Sequence, residues 1–202
     1  MRMSLIGRLL RWCPGAAGLL LRQKFYPSLL GACGKGVLFG RFIDLQNAKN
    51  IHIGDNVVVS NRCCLLAGIA GSGQSIMIED NVFIGIGTLL QAEAGTVLLK
   101  KGTNLGSECR VAAGTPVTMG RNVLMAAYCV IGGESVSPGD IMSNASSTEI
   151  GDNVWLGARS QVLSAIHIGE GAIVGAHALV NRDINNYGVA MGRPATIVRY
   201  RK

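Results

Sequence analysis

Residues 150–180 read IGDNVWLGARSQVLSAIHIGEGAIVGAHALV, and within them an aliphatic side chain returns at every sixth position: Ile150, Leu156, Val162, Ile168, Val174 and Val180. An α-helix turns about every 3.6 residues and cannot produce that period. Six is a multiple of the strand period of two, so these side chains point to one side of an extended chain. A bend after each short strand, eased by glycines such as Gly151, Gly157, Gly169 and Gly175, makes each hexapeptide one strand plus one corner.

The same spacing runs backward in blocks of three: Ile53, Val59, Leu65; Ile78, Ile84, Leu90; Leu99, Leu105, Val111; and Met119, Met125, Ile131. With three hexapeptides closing one triangular turn, the chain is expected to form an all-β parallel β-helix of about six coils. Every insertion then falls after the third face. Four residues past many aliphatic positions comes a small residue: Val57, Cys63, Thr88, Ala94, Thr103, Cys109, Thr115, Cys129, Val154, Ser160, Ala172 or Ala178. This column predicts tight inner corners and reads Cys63, Cys109 and Cys129 as small buried hydrophobes. Because the ends of such a coil expose unpaired strand edges, covers are needed. Residues 1–48 are read as an N-terminal helical cap, 49–184 as the coil with an insertion loop at 137–149, and 185–202 as a basic C-terminal tail.

Composition agrees with one folded domain: of 202 residues 49% are hydrophobic, 15% are charged and 28 are glycine. The net charge of +7 is uneven, since Arg2, Arg8, Arg11, Arg22 and Lys24 precede the first acid, Asp44, and Arg193, Arg199, Arg201 and Lys202 crowd the other end. Positive ends suit an anionic partner. Nucleic acid is not expected, because no aromatic residues interleave with the bases. The six cysteines form no CxxC pair and no Cys/His spacing suited to zinc, and His52 lies many coils from His167 and His177, so no metal site is expected. A reduced, cytoplasmic compartment fits. The stretch from Ser4 to Leu30 reads as an amphipathic helix interrupted by Pro14 and Pro27. It either caps the coil or touches an anionic membrane surface through residues 1–30, at the cytoplasmic face.

The stretch Ile150-Gly151-Asp152-Asn153-Val154-Trp155-Leu156-Gly157-Ala158 resembles the signature coil of hexapeptide-repeat acyltransferases, in particular the sugar O-acetyltransferases of the galactoside, maltose and capsular or exopolysaccharide type. The likeness continues through Ile168-Gly169-Glu170-Gly171-Ala172-Ile173-Val174-Gly175-Ala176 and the tail Met191-Gly192-Arg193-Pro194-Ala195, then Ile197-Val198-Arg199-Tyr200-Arg201. It implies a left-handed coil and a homotrimer with active sites between subunits. The co-substrate would be acetyl-CoA and the acceptor a saccharide in cell-surface polysaccharide assembly. Carried over position by position, Ala158 and Ala176 would offer backbone groups to the pantetheine arm, and Arg182 and Arg199 would meet the coenzyme phosphates. Trp155 would be an acceptor platform, and Asn144, in a polar loop, an acceptor hydrogen-bonding group.

The reaction needs a base to take the proton of the acceptor hydroxyl, which attacks the thioester while N–H groups hold the oxyanion. The family keeps a histidine for this just before the long loop, but the matching stretch Val130-Ile131-Gly132-Gly133-Glu134-Ser135-Val136 has none. Glu134 and the outward-pointing His177 are left as candidate bases. The missing histidine also fits a catalytically silent β-helix that binds coenzyme A or a partner enzyme.

Overall fold

The computed structural model describes residues 11–69, 71, 73–92, 94–132 and 147–201. Short strands follow one another three to a coil. The first coils contain β1–β3 (Ala32–Cys33, Leu38–Phe39, Asp44–Gln46), β4–β6 (Ile51–Ile53, Val58–Val59, Cys64–Leu66) and β7–β9 (Ile76–Ile78, Phe83–Ile84, Leu89–Gln91). Next come β10–β12 (Val97–Leu99, Asn104–Leu105, Arg110–Ala112) and β13–β15 (Val117–Met119, Leu124–Met125, Val130–Gly132). The last two coils are β16–β18 (Thr148–Ile150, Trp155–Leu156, Gln161–Val162) and β19–β21 (His167–Ile168, Ile173–Val174, Leu179–Val180). The first strands of all coils pair into one parallel sheet, the second strands into another and the third strands into a third, giving three faces.

Pairing follows the aliphatic spacing residue for residue. On the first face Ile53, Ile78, Leu99, Met119, Ile150 and Ile168 are successive partners. On the second they are Val59, Ile84, Leu105, Met125, Leu156 and Val174. On the third they are Leu65, Leu90, Val111, Ile131, Val162 and Val180. Every one of these side chains is buried. Backbone amides donate from coil to coil, for example Leu124 N to Val154 O at 2.9 Å and Trp155 N to Ala172 O at 3.0 Å. The insertions all lie between the third and first faces, and the gap from Val162 to Ile168 has none. Residues 133–146, which include most of the expected loop at 137–149, lie outside the described residues.

Three expectations change. A further coil precedes those read from the repeat: Cys33, Phe39 and Leu45, themselves six apart, pair with Ile53, Val59 and Leu65. The coil therefore begins at Ala32, inside the segment expected to be a cap, and a cysteine at the aliphatic position hid it. Ala94 and Thr115 are not buried like the other small residues of their column, because they stand at the corner where insertions interrupt the register. The tail does not leave the coil at all. β22 (Gly188–Gly192) pairs parallel with β20, and β23 (Ala195–Tyr200) pairs antiparallel with β22, extending the second face. Arg201 ties this hairpin down, its guanidinium donating to Gly171 O at 2.9 Å.

The helix α1 (Gly15–Leu29) covers the open end. It is not the amphipathic helix expected, because apolar and polar residues share its buried side. Gly18, Arg22 and Tyr26 form the buried stripe, with Arg22 Nε donating to Phe39 O at 3.0 Å and Nη1 to Cys13 O at 2.9 Å. Tyr26 packs edge-on against Phe39 with centroids 5.2 Å apart. Lys49 Nζ donates to Ser28 O and Leu30 O, placing a cation at the helix C-terminus where the dipole favours it.

Leu105 is fully buried in the middle of the stack, with coils above and below that cannot close a void around it. Leu105→Ala is expected to cost about 2–5 kcal/mol of unfolding free energy. Urea unfolding followed by circular dichroism checks this; a loss below about 1 kcal/mol would mean the stack relaxes locally.

Candidate active site

Each corner of the coil needs one residue in the left-handed region, and the two regular corners fill it differently. Between the first and second faces the column reads Gly36, Asn56, Asn81, Gly102, Asn122, Asn153 and Gly171, with φ between 53° and 75°. Glycine and asparagine enter this region at least cost. Between the second and third faces the same position holds Phe42, Arg62, Gly87, Glu108, Tyr128, Arg159 and His177, with φ between 56° and 71°. A side chain with a Cβ costs about 1–2 kcal/mol there. This corner therefore carries larger side chains at its strained position than the first corner does.

Upper coils of this corner bring several of the sequence-derived candidates together. The turn Gly157-Ala158-Arg159-Ser160 closes with Ser160 N donating to Gly157 O at 3.1 Å, and Gly175-Ala176-His177-Ala178 closes with Ala178 N donating to Gly175 O at 3.3 Å. His177 N donates to Ala158 O at 2.9 Å, stacking the second turn on the first. The amides of Ala158 and Ala176 donate to nothing among the described residues. A Cβ on Gly157 would stand 2.6 Å from Ala176 N, so the close stacking of these two turns requires glycine there. His177 is exposed, and its φ of 60° directs its side chain away from the column of buried small residues.

Trp155 lies on the outward side of the second face, half exposed, between Leu124 and Ile173. Its row continues through Ile173 and Val189 to Arg199. Three strand steps separate Trp155 from Arg199, roughly 14 Å at the usual spacing. Arg182 follows β21 and is exposed at the next corner, so within one chain it does not join Ala158 and Ala176. Glu134 and Asn144 lie outside the described residues. The other histidines occupy strands rather than corners: His52 is on β4, and His167 is on β19 with Nδ1 3.6 Å from Glu149 Oε2, both on the first face.

Two side chains of this corner escaped the sequence reading. Arg159 holds its guanidinium 5.5 Å from the centroid of the Tyr128 ring one coil below, and no carboxylate pairs with it among the described residues. The signal was available, because Tyr128, Arg159 and His177 each come three residues after a core aliphatic, Met125, Leu156 and Val174.

Behind the corner runs a column of small polar groups. Cys63 Sγ donates to Gly85 O at 3.1 Å, Thr88 Oγ1 to Gly106 O at 2.9 Å, Cys109 Sγ to Ala126 O at 3.0 Å and Cys129 Sγ to Gly157 O at 3.0 Å. Burial pushes the Cys63 thiol up to about 11 from its ordinary value of 9.0. The adjacent Cys129 thiol and burial together raise Cys109. Among the described residues no group of histidine, cysteine and carboxylate side chains could hold a metal ion.

Because the folded state keeps Cys63 protonated while the unfolded chain ionises it, this thiol's stabilisation is complete below pH 9.0 and is lost as pH rises through about 11. Urea midpoints of the wild-type protein and Cys63→Ala should therefore converge across that window, with the wild type losing more; parallel curves would show that the thiol ionises in place.

Residues 147–182 match the family described as bacterial transferase hexapeptide (six repeats), and residues 75–119 match the hexapeptide repeat of succinyl-transferase. Chloramphenicol acetyltransferase of Escherichia coli is 39% identical over 62 residues, which are 31% of this chain and 30% of that protein. The chain thus spans under a third of the length of that relative. Among solved structures, a mutant of AntD, an N-acyltransferase from Bacillus cereus in complex with dTDP-4-amino-4,6-dideoxyglucose and coenzyme A, is similar with a TM-score of 0.59. Its identity is 22%, over 90% of this chain and 89% of that one. The polysialic acid O-acetyltransferase OatWY is similar with a TM-score of 0.60 at 18% identity, over 83% of this chain and 88% of that one. With hexapeptide-repeat matches in its middle and last coils and three parallel faces paired coil on coil, the chain has the left-handed parallel β-helix fold.

Proposed function

We propose that this protein transfers an acyl group, acetyl by preference, from coenzyme A to a hydroxyl of a saccharide, working as a homotrimer. The observation that carries the reading is the corner between the second and third faces, where the Ala158 and Ala176 amides, which donate to nothing among the described residues, and the left-handed residues Arg159 and His177 are stacked one coil apart. Names borne by similar proteins support the chemistry: an acetyltransferase in sequence, and in fold an N-acyltransferase with coenzyme A and a sugar nucleotide bound, and a polysialic acid O-acetyltransferase.

In this reading the pantetheine arm runs along the column and accepts hydrogen bonds from the Ala158 and Ala176 amides, while Arg199 at the end of the second face meets the phosphates. The acceptor ring lies on Trp155. His177 takes the proton of the acceptor hydroxyl, whose oxygen attacks the thioester carbonyl; the tetrahedral intermediate collapses with cleavage of the C–S bond, and His177 returns the proton to the departing sulfur, so coenzyme A leaves as the thiol. The coenzyme would occupy space between neighbouring subunits, and the exposed apolar residues of the second face, including Phe83, Leu124 and Trp155, suit contact with a second copy.

Release of coenzyme A thiol from acetyl-CoA is measured over a panel of sugars. His177→Ala is expected to lower kcat about 100-fold or more, with KM for acetyl-CoA changed by less than about threefold. Glu134→Gln is expected to leave kcat within about threefold; the opposite pattern moves the base to Glu134. Arg199→Ala should raise KM for acetyl-CoA roughly tenfold with little change in kcat. Coenzyme binding with no thiol release over any acceptor would identify a silent scaffold instead, the reading that the missing family histidine favours.

A further inference from the structure

We infer that the exposed side of α1, together with Trp12, is a docking surface for an anionic lipid bilayer. The inference does not depend on acyl transfer. It starts from what the cap leaves outside: Arg22 and Tyr26 point into the protein, while Leu20, Phe25 and Leu29 are exposed. Arg22 is 3% exposed, whereas Leu20 is 65%, Leu29 48% and Phe25 41% exposed. Trp12, immediately before the helix, is 65% exposed although its carbonyl is held by Arg41 Nη2 at 3.5 Å. Closing the coil end uses Gly18, Arg22 and Tyr26 and leaves these four side chains without a packing role in the cap.

Charge selects the occupant. Between residues 11 and 43 there is no Asp or Glu, and α1 itself has none. Lys24 is exposed one turn after Leu20, and Lys49 adds its cation at the helix C-terminus. A second copy docked cap to cap would place like charges against each other across a two-fold axis. An anionic headgroup layer instead accepts Lys24 and Lys49 while its acyl boundary takes Leu20, Phe25, Leu29 and the Trp12 ring, which is the division of labour of interfacial helices. No helix among the described residues is long and apolar enough to cross a membrane, so the contact lies on the surface.

The full-length protein is sedimented with vesicles of phosphatidylcholine alone or with about one quarter phosphatidylglycerol. Binding is expected only with the anionic lipid, and it should fall in about 0.5 M salt. L20E/F25E should weaken binding roughly tenfold or more, and Lys24→Glu should weaken it as well. Both variants should melt like the wild type, because these side chains face solvent. A Trp155→Phe protein, with Trp12 as its remaining tryptophan, should show a blue-shifted emission on vesicle addition. Four results overturn the proposal: no sedimentation with either vesicle, equal sedimentation with both, equal binding by the wild type and Lys24→Glu, or an oligomer that L20E/F25E dissociates without any vesicle binding, which would assign this surface to a second copy.

Discussion

Axial hydrogen bonding between identical positions of successive coils is the constraint on which the rest of this protein depends. A strand of two or three residues has almost no pairing energy of its own. It persists because the coil below and the coil above offer the same backbone geometry about 4.8 Å away. This repetition demands one class of side chain at each column: Ile78 must stack on Ile53, and Leu156 on Met125. A residue of another size in the inner column would disturb both neighbours, which is why the core contains aliphatic groups, methionines and, at the corners, thiols and hydroxyls that satisfy themselves on carbonyls of the next coil.

Stacking also sets where chemistry can sit. Inner positions are committed to packing, so chemical groups are confined to the outward positions of the faces and to the corners. At the corner between the first and second faces the chain uses asparagine and glycine and incurs little backbone strain. At the next corner it accepts Tyr128, Arg159 and His177 in the left-handed region, one above another. The two amides beside them, at Ala158 and Ala176, follow from the same turn geometry, since the second residue of such a turn has its N–H outside the ladder. The glycine one coil below lets the two turns stack this closely. A surface of this kind needs no loop to build it.

Much of this was legible beforehand, and for a physical reason. A column of stacked residues appears in the sequence as a fixed interval, so the six-residue spacing from Ile150 to Val180 predicts the register that the pairing shows. The interval weakened where other residues stood in the column, and the coil of Cys33, Phe39 and Leu45 was missed for that reason. Tyr128 and Arg159 lie 31 residues apart in the chain and meet because their coils stack directly, Val130 pairing with Gln161. Local reading does not join them.

The sequence by itself determined the strand period, the inner column and the placing of insertions at one corner, because each is a local rule repeated at constant spacing. It also pointed to Ala158 and Ala176 through the resemblance carried by the last coils, and to His177 through its outward place in the Val174 hexapeptide. Only the tertiary structure decided that Arg22 turns inward and leaves Leu20 outside, because the polarity of a capping helix depends on what the open coil end offers, here the free carbonyl of Phe39. It likewise decided that the tail returns as a hairpin on the second face, since that sheet edge had unpaired groups which no local pattern in residues 188–200 could announce.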